Sequence, residues 1–131
     1  VKRMIRNGID ISKSKVGVLG ITFKENCPDI RNTKIINLIN DLKSWSIDVH
    51  VVDPWADKTE VMHEYSIELV NLNELNNLDS IIVAVGHDEF RNLEAKDLKA
   101  LCSFENPVFA DIKSIYEKQQ VLDLGFTLFR L

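Results

Sequence analysis

Val16-Gly17-Val18-Leu19-Gly20-Ile21 is a short apolar run punctuated by two glycines, and a long polar loop begins directly after it at Thr22. Such a run, bounded by turn formers, suits a strand buried on both faces that opens into a tight turn. Ile81-Ile82-Val83-Ala84-Val85 repeats the pattern more plainly, while Val49, Val51 and Val52, then Val108-Phe109-Ala110, supply two more strands. Between the first two strands, Ile35, Ile36, Leu38, Ile39, Leu42 and Trp45 recur at three- and four-residue spacing, which makes one apolar helical face. Asn32 or Thr33 stands before that helix as a cap for its orphan backbone N–H groups. Further out, the pattern predicts a short helix over 57–63, a short strand over 67–70, helices over 93–101 and 114–122, and a last edge strand over 126–131.

Strands alternating with helices imply a parallel sheet covered on both faces, and right-handed crossovers make it Rossmann-like. The expected fold is α/β, a three-layer αβα sandwich with a mainly parallel sheet of five to six strands. Residues 1–13 read as the end of a preceding helix or connection, and 14–131 as the domain.

With 131 residues and 45% apolar content, the chain can bury a sizeable core and leaves little room for a second domain. Its net charge of -4 comes from interspersed acids and bases, so no basic stripe for nucleic acid exists. No apolar run approaches the roughly 18 residues of a membrane span. Val1-Lys2-Arg3-Met4 has neither an initiator Met nor the apolar stretch of a signal peptide. The expectation is a cytoplasmic piece of a longer protein.

In an open α/β sheet, ligands sit beyond the carboxyl ends of the strands. Those ends are the loops over 20–31, 53–57, 85–89 and 111–114, and Lys24, Arg31, His87, Arg91 and Lys113 in or beside them carry enough positive charge for a diphosphate. A helix start near Asn32 adds backbone donors. Gly17 and Gly20 form only G-x-x-G, and Asp53 follows Gly20 by 33 residues, later than a dinucleotide fingerprint requires. NAD is therefore not expected on this chain. Cys27 and Cys102 make neither a disulfide framework nor a metal signature, and His50, His63 and His87 are spaced for no usual zinc motif. His87 reads as ordering a loop, Cys102 as packing, Trp45 and Trp55 as packing anchors, and Asp57, Glu60, Glu64 and Glu68 as a solvated face. Cys27 lacks a histidine at a fixed spacing to activate it.

Leu19-Gly20-Ile21-Thr22-Phe23-Lys24-Glu25-Asn26-Cys27-Pro28-Asp29-Ile30-Arg31-Asn32-Thr33 resembles the segment that opens the C-terminal domain of the UDP-glucose/GDP-mannose dehydrogenase family. Val52-Asp53-Pro54-Trp55-Ala56-Asp57 and Phe109-Ala110-Asp111-Ile112-Lys113 resemble two further motifs of that family, so the likeness covers essentially the whole chain. The form of residues 25–32 most resembles the branch that oxidises UDP-N-acetylhexosamines.

The resemblance implies a three-part, homo-oligomeric enzyme. An N-terminal domain holds NAD, a central helical region forms the dimer, and the C-terminal domain holds the UDP part of a UDP-sugar. It implies oxidation of the sugar C6 alcohol to a carboxylate in two hydride transfers, through a thiohemiacetal and a thioester on a cysteine. That cysteine, with its lysine, asparagine and aspartate helpers, belongs to the region before this chain, so no catalytic residue is expected here. Phe23 and Lys24 match the family's pair at the active-site mouth, where the lysine reaches the sugar end of the ligand. Arg31 matches the arginine of an Asp-x-Arg element as a substrate contact, with Asp29 as its loop-ordering partner. Lys113 stands where UDP-glucose enzymes carry a nucleotide-contacting arginine, although a lysine cannot make a bidentate fork. Asp53 and Asp111 are expected to order their loops. A stand-alone nucleotide-binding or regulatory module, and a structural subunit-contact domain, remain as alternative readings of the same pattern.

Overall fold

Side chains along a strand alternate between faces, and that alternation divides this protein into two cores. Along β1 (Lys15–Leu19), Val16 and Val18 face one side, while Gly17 and Leu19 face the other, Gly17 against Leu78. In the computed structural model, which describes residues 1–31, 33–103 and 106–130, β1 is joined by β2 (Asp48–Val52), β3 (Ser80–Val83), β4 (Val108–Asp111) and β5 (Thr127–Arg130). The sheet order is β2-β1-β3-β4-β5 and every pairing is parallel.

Helices α1 (Lys2–Arg6), α2 (Ile35–Ser44) and α3 (Lys58–Tyr65) lay Met4, Ile39, Leu42 and Val61 on Val16, Val18, Ile82 and Ala110. On the opposite face, α4 (Asp88–Arg91), α5 (Ala95–Lys99) and α6 (Lys118–Asp123) lay Phe90, Leu98 and Val121 on Leu19, Ile81, Val83 and Phe109. The result is the three-layer α/β sandwich that the sequence pattern implied. Both faces of β3 are covered, which is why Ile81 to Val85 is apolar at every position.

Several elements differ from the periodicity-based expectation. The helix expected over 93–101 is the shorter α5, which starts only after Glu94, where Glu94 and Asp97 form a reciprocal capping box; the separate turn of α4 precedes it. The strand expected over 67–70 is a single bridge from Leu69 to Val51, squeezed between the left-handed Ser66 and a 3-10 turn at Leu72–Glu74. The helix expected from residue 114 starts at Lys118. Upstream, Asp111 takes the N–H groups of Ile115 and Tyr116, and Ser114 is left-handed at φ 54°.

Thr33 Oγ1 accepts from Ile35 N–H at 3.3 Å, whereas Asn32, as cap or as donor site, and Leu131 lie outside the described residues. Met4 and Ile9 bury against the sheet, so the segment over 1–13 is tied to the core at those two residues. Trp45 is half exposed rather than a packing anchor. Asp57 is exposed, as expected of a solvated face, and it also caps α3 by accepting from Glu60 N–H at 2.9 Å.

Candidate functional site

The chain leaves β1 for β2 on one side and returns to β3 on the other, so the order in which strands are added reverses between β1 and β3. That reversal creates a crevice at their carboxyl ends. Gly20 sits in its wall with φ +103°, and a β-carbon there would lie 2.6 Å from Val85 Cβ and 2.9 Å from Val85 N. Only glycine lets the loops after β1 and β3 close on each other in this way.

Asp53, at the end of β2, is buried beneath them. Its Oδ2 accepts from Ile21 N–H at 2.7 Å and Thr22 N–H at 3.1 Å, and its Oδ1 from Trp55 N–H at 2.8 Å and Ala56 N–H at 3.2 Å. His87 Nε2 completes the set, 3.0 Å from Oδ2. Desolvation raises the Asp53 pKa, but the bonds from His87, Ile21 and Trp55 outweigh it and hold the carboxyl below its ordinary range. A ribose-binding acid would stand at this strand end with its oxygens turned to ligand. Here both oxygens are spent on the protein, so the position does not fit an NAD ribose.

His87 has no exposed surface and touches three strand-end segments. Its Nδ1 accepts from Asn26 N–H at 2.9 Å, which leaves the ring proton on Nε2. That proton is shared between Asp53 Oδ2 and Thr22 Oγ1, the latter at 3.1 Å, while the Thr22 hydroxyl donates to the Lys24 carbonyl at 3.0 Å. Asn26 is left-handed at φ 54°, and its side-chain oxygen accepts from Asp88 N–H at 2.9 Å. Trp55 lies against the His87 ring with centroids 6.1 Å apart, its indole N–H donating to Glu89 at 2.9 Å. Trp55 therefore packs over His87 with one edge left exposed.

On this base the outer loop is folded tightly. Phe23 N–H donates to the Asp29 carbonyl at 2.7 Å, which turns the Phe23 ring and Lys24 outward; Phe23 is 59% exposed. Arg31 and Asp29 form a two-pronged fork, Nε to Oδ1 at 3.0 Å and Nη2 to Oδ2 at 3.1 Å, on the solvent side of the loop. The fork, followed by the Arg31 backbone N–H, holds the Asp29 carboxyl below its usual value. Arg91, expected to lend charge to a ligand, spends it on Glu25 at 3.1 Å and on the Gly86 carbonyl at 3.0 Å.

Asp111 is buried. Its oxygens accept from Ile115 N–H at 3.1 Å and Tyr116 N–H at 2.9 Å, which fixes the turn that exposes Lys113. Burial, followed by the nearby Asp111 charge, pushes the Tyr116 phenol well above its ordinary range. A β-carbon at Gly86 would meet Glu25 Oε2 at 3.2 Å and Ile115 Cγ2 at 3.3 Å, so the loops of Lys24 and Lys113 flank the same glycine. Sequence reasoning missed Thr22 and the Trp55–Glu89 contact. The only signal was a polar residue placed directly after a strand and its glycine.

A cavity of about 710 Å³ lies on the other flank, between α1, α2 and the sheet, and one of about 290 Å³ lies beside Asp53 and Pro54. Neither is lined by Phe23, Lys24, Arg31 or Lys113, which stand on an open surface. Among the described residues no group of three or more His, Cys, Asp or Glu could hold a metal ion. No helix among them is long and apolar enough to cross a membrane. Burial pushes the Cys102 thiol up to about 11.

Residues 17–118 match the sequence profile of the UDP-glucose/GDP-mannose dehydrogenase family, UDP binding domain. UDP-N-acetyl-D-glucosamine 6-dehydrogenase of Salmonella typhi is 42% identical over 120 residues, 92% of this chain and 28% of that protein. UDP-N-acetyl-D-mannosamine dehydrogenase of Methanococcus maripaludis is 31% identical, over 92% of this chain and 27% of that protein. The crystal structure of NDP-N-acetyl-D-galactosaminuronic acid dehydrogenase from Methanosarcina mazei Go1 superposes with a TM-score of 0.88 at 27% identity, covering 98% of this chain and 26% of that one. The chain thus spans little more than a quarter of the length of these relatives.

Proposed function

The chain belongs to the UDP-glucose/GDP-mannose dehydrogenase family as its UDP binding domain, and from that premise we propose that residues 14–131 hold the UDP part of a UDP-N-acetylhexosamine for a larger NAD-dependent 6-dehydrogenase. The observation that carries this reading is the outward placement of Phe23 and Lys24 on a loop pinned to the β1–β3 crevice. Lys24 supplies charge toward the sugar end of the ligand, Phe23 supplies an apolar face, and Lys113 supplies a second charge from the neighbouring loop. Arg31, forked to Asp29, stiffens the loop and presents its remaining N–H groups at the rim.

The larger enzyme is a homo-oligomer acting in the cytoplasm. In it, the remaining polypeptide holds NAD and the nucleophilic cysteine, and it converts the C6 alcohol to a carboxylate. The engaged carboxylate of Asp53 supports NAD lying off this chain. The chain's share of catalysis is positional. Binding energy from the remote UDP handle holds C6 where the reacting groups meet. Calorimetric titration tests the reading: the unchanged chain binds UDP and UDP-N-acetylglucosamine, and Lys24→Ala binds the UDP-sugar about tenfold more weakly, as loss of one charged contact implies. A chain that ignores UDP contradicts it.

A further inference from the structure

We propose that His87 is a positioning residue for the UDP ligand, acting through the loop that carries Phe23 and Lys24. The inference rests on the function proposed above and adds a residue that touches no ligand. Three observations lead to it. The ring is completely buried at the carboxyl ends of β1, β2 and β3. Each ring nitrogen has a different partner, Nδ1 taking Asn26 N–H at 2.9 Å and Nε2 reaching Asp53 Oδ2 at 3.0 Å. Through Thr22 Oγ1, at 3.1 Å from Nε2, the same proton braces the hydroxyl that holds the Lys24 carbonyl.

The Asn26 bond and the Asp53 bond do different work. Asp53 already binds Ile21, Thr22, Trp55 and Ala56 N–H groups, so its geometry is set many times over. Asn26 N–H is different: His87 Nδ1 anchors the far side of the Phe23–Lys24 turn to the β3 end, and Asn26 in turn caps Asp88 N–H. Losing Nδ1 as an acceptor orphans a part-buried N–H and releases the turn at a left-handed residue, Asn26 at φ 54°. Preorganisation of the Lys24 turn is then lost, and ligand affinity with it.

Two substitutions separate the bonds. Asn carries an oxygen where Nδ1 stands, so His87→Asn keeps the acceptor for Asn26. Gln carries an N–H near Nε2, so His87→Gln keeps the donor to Asp53 and loses that acceptor. Titration of the three chains with UDP-N-acetylglucosamine is expected to give near-wild-type affinity for His87→Asn and about tenfold weaker binding for His87→Gln. Equal affinities in all three, equal losses in both variants, or the reverse order overturn the inference while leaving the proposed function standing. Failure of the unchanged chain to bind UDP removes both.

Nitrogen-15 spectra of the unchanged chain give a readout that needs no variant. The His87 ring must show a proton on Nε2 and a bare Nδ1, and UDP must shift both that Nδ1 and the Asn26 amide. A proton on Nδ1, or no response of either to a UDP that binds, overturns the inference even where the variants fail to fold.

Discussion

His87 Nε2 lies 3.0 Å from Asp53 Oδ2, and neither side chain has any surface in contact with solvent. This pair joins the ends of β2 and β3 beneath the loop that leaves β1. A buried carboxylate survives there because five N–H groups point at it, not because of one ion pair.

Asp53 makes stability depend on acid. Its folded pKa lies below the ordinary 3.8, so its contribution is complete above that value and is lost as pH falls through the lower, folded one. Asp53→Asn turns an amide N–H toward donors that the carboxylate satisfied. It is expected to cost about 3 kcal/mol at neutral pH, with the gap to the unchanged chain narrowing below about pH 4. Urea unfolding at pH 7 and at steps down to pH 2 checks both statements.

Gly20→Ala combines a left-handed backbone with a β-carbon 2.6 Å from Val85 Cβ and 2.9 Å from a backbone nitrogen. Neither contact belongs to the far end of a flexible side chain, so the two loops must part. A loss of about 3 kcal/mol or more is expected in chemical unfolding. UDP affinity should fall with it, since the crevice between β1 and β3 widens.

Phe23→Ala is expected to weaken binding while sparing the fold. The ring is 59% exposed, so its removal leaves stability within about 0.5 kcal/mol. UDP-sugar binding should weaken about tenfold, the worth of one aromatic face. Thermal unfolding and ligand titration on the same sample separate the two effects.

Cys102 is partly buried and its thiol is pushed up to about 11 by desolvation. Because only the thiolate reacts, alkylation of Cys102 by iodoacetamide should rise about tenfold per pH unit between pH 8 and 10. Peptide mass spectrometry after timed labelling reads that slope directly.

The sheet was legible because its strands are buried on both faces, which leaves uninterrupted apolar runs such as Ile81 to Val85. The breaks were less legible. Glu94 with Asp97 is a helix start hidden inside an apolar period, and Asp111 delays α6 by capturing two N–H groups that periodicity cannot see. At the candidate site, the family-like loop singles out Phe23, Lys24 and Arg31 from its local motif alone. The tie from Thr22 and Asn26 to His87 spans more than sixty residues and depends on which strands end side by side, so no local pattern announces it.

The central claim is that this chain holds UDP and not NAD, and backbone-amide NMR during titration with each tests it most directly. The account predicts that UDP and UDP-N-acetylglucosamine shift amides in the loops over 20–31 and 111–114, while NAD leaves them in place. If NAD shifts the Gly17 to Gly20 turn at lower concentration than UDP does, the chain is a cofactor domain and the account is wrong.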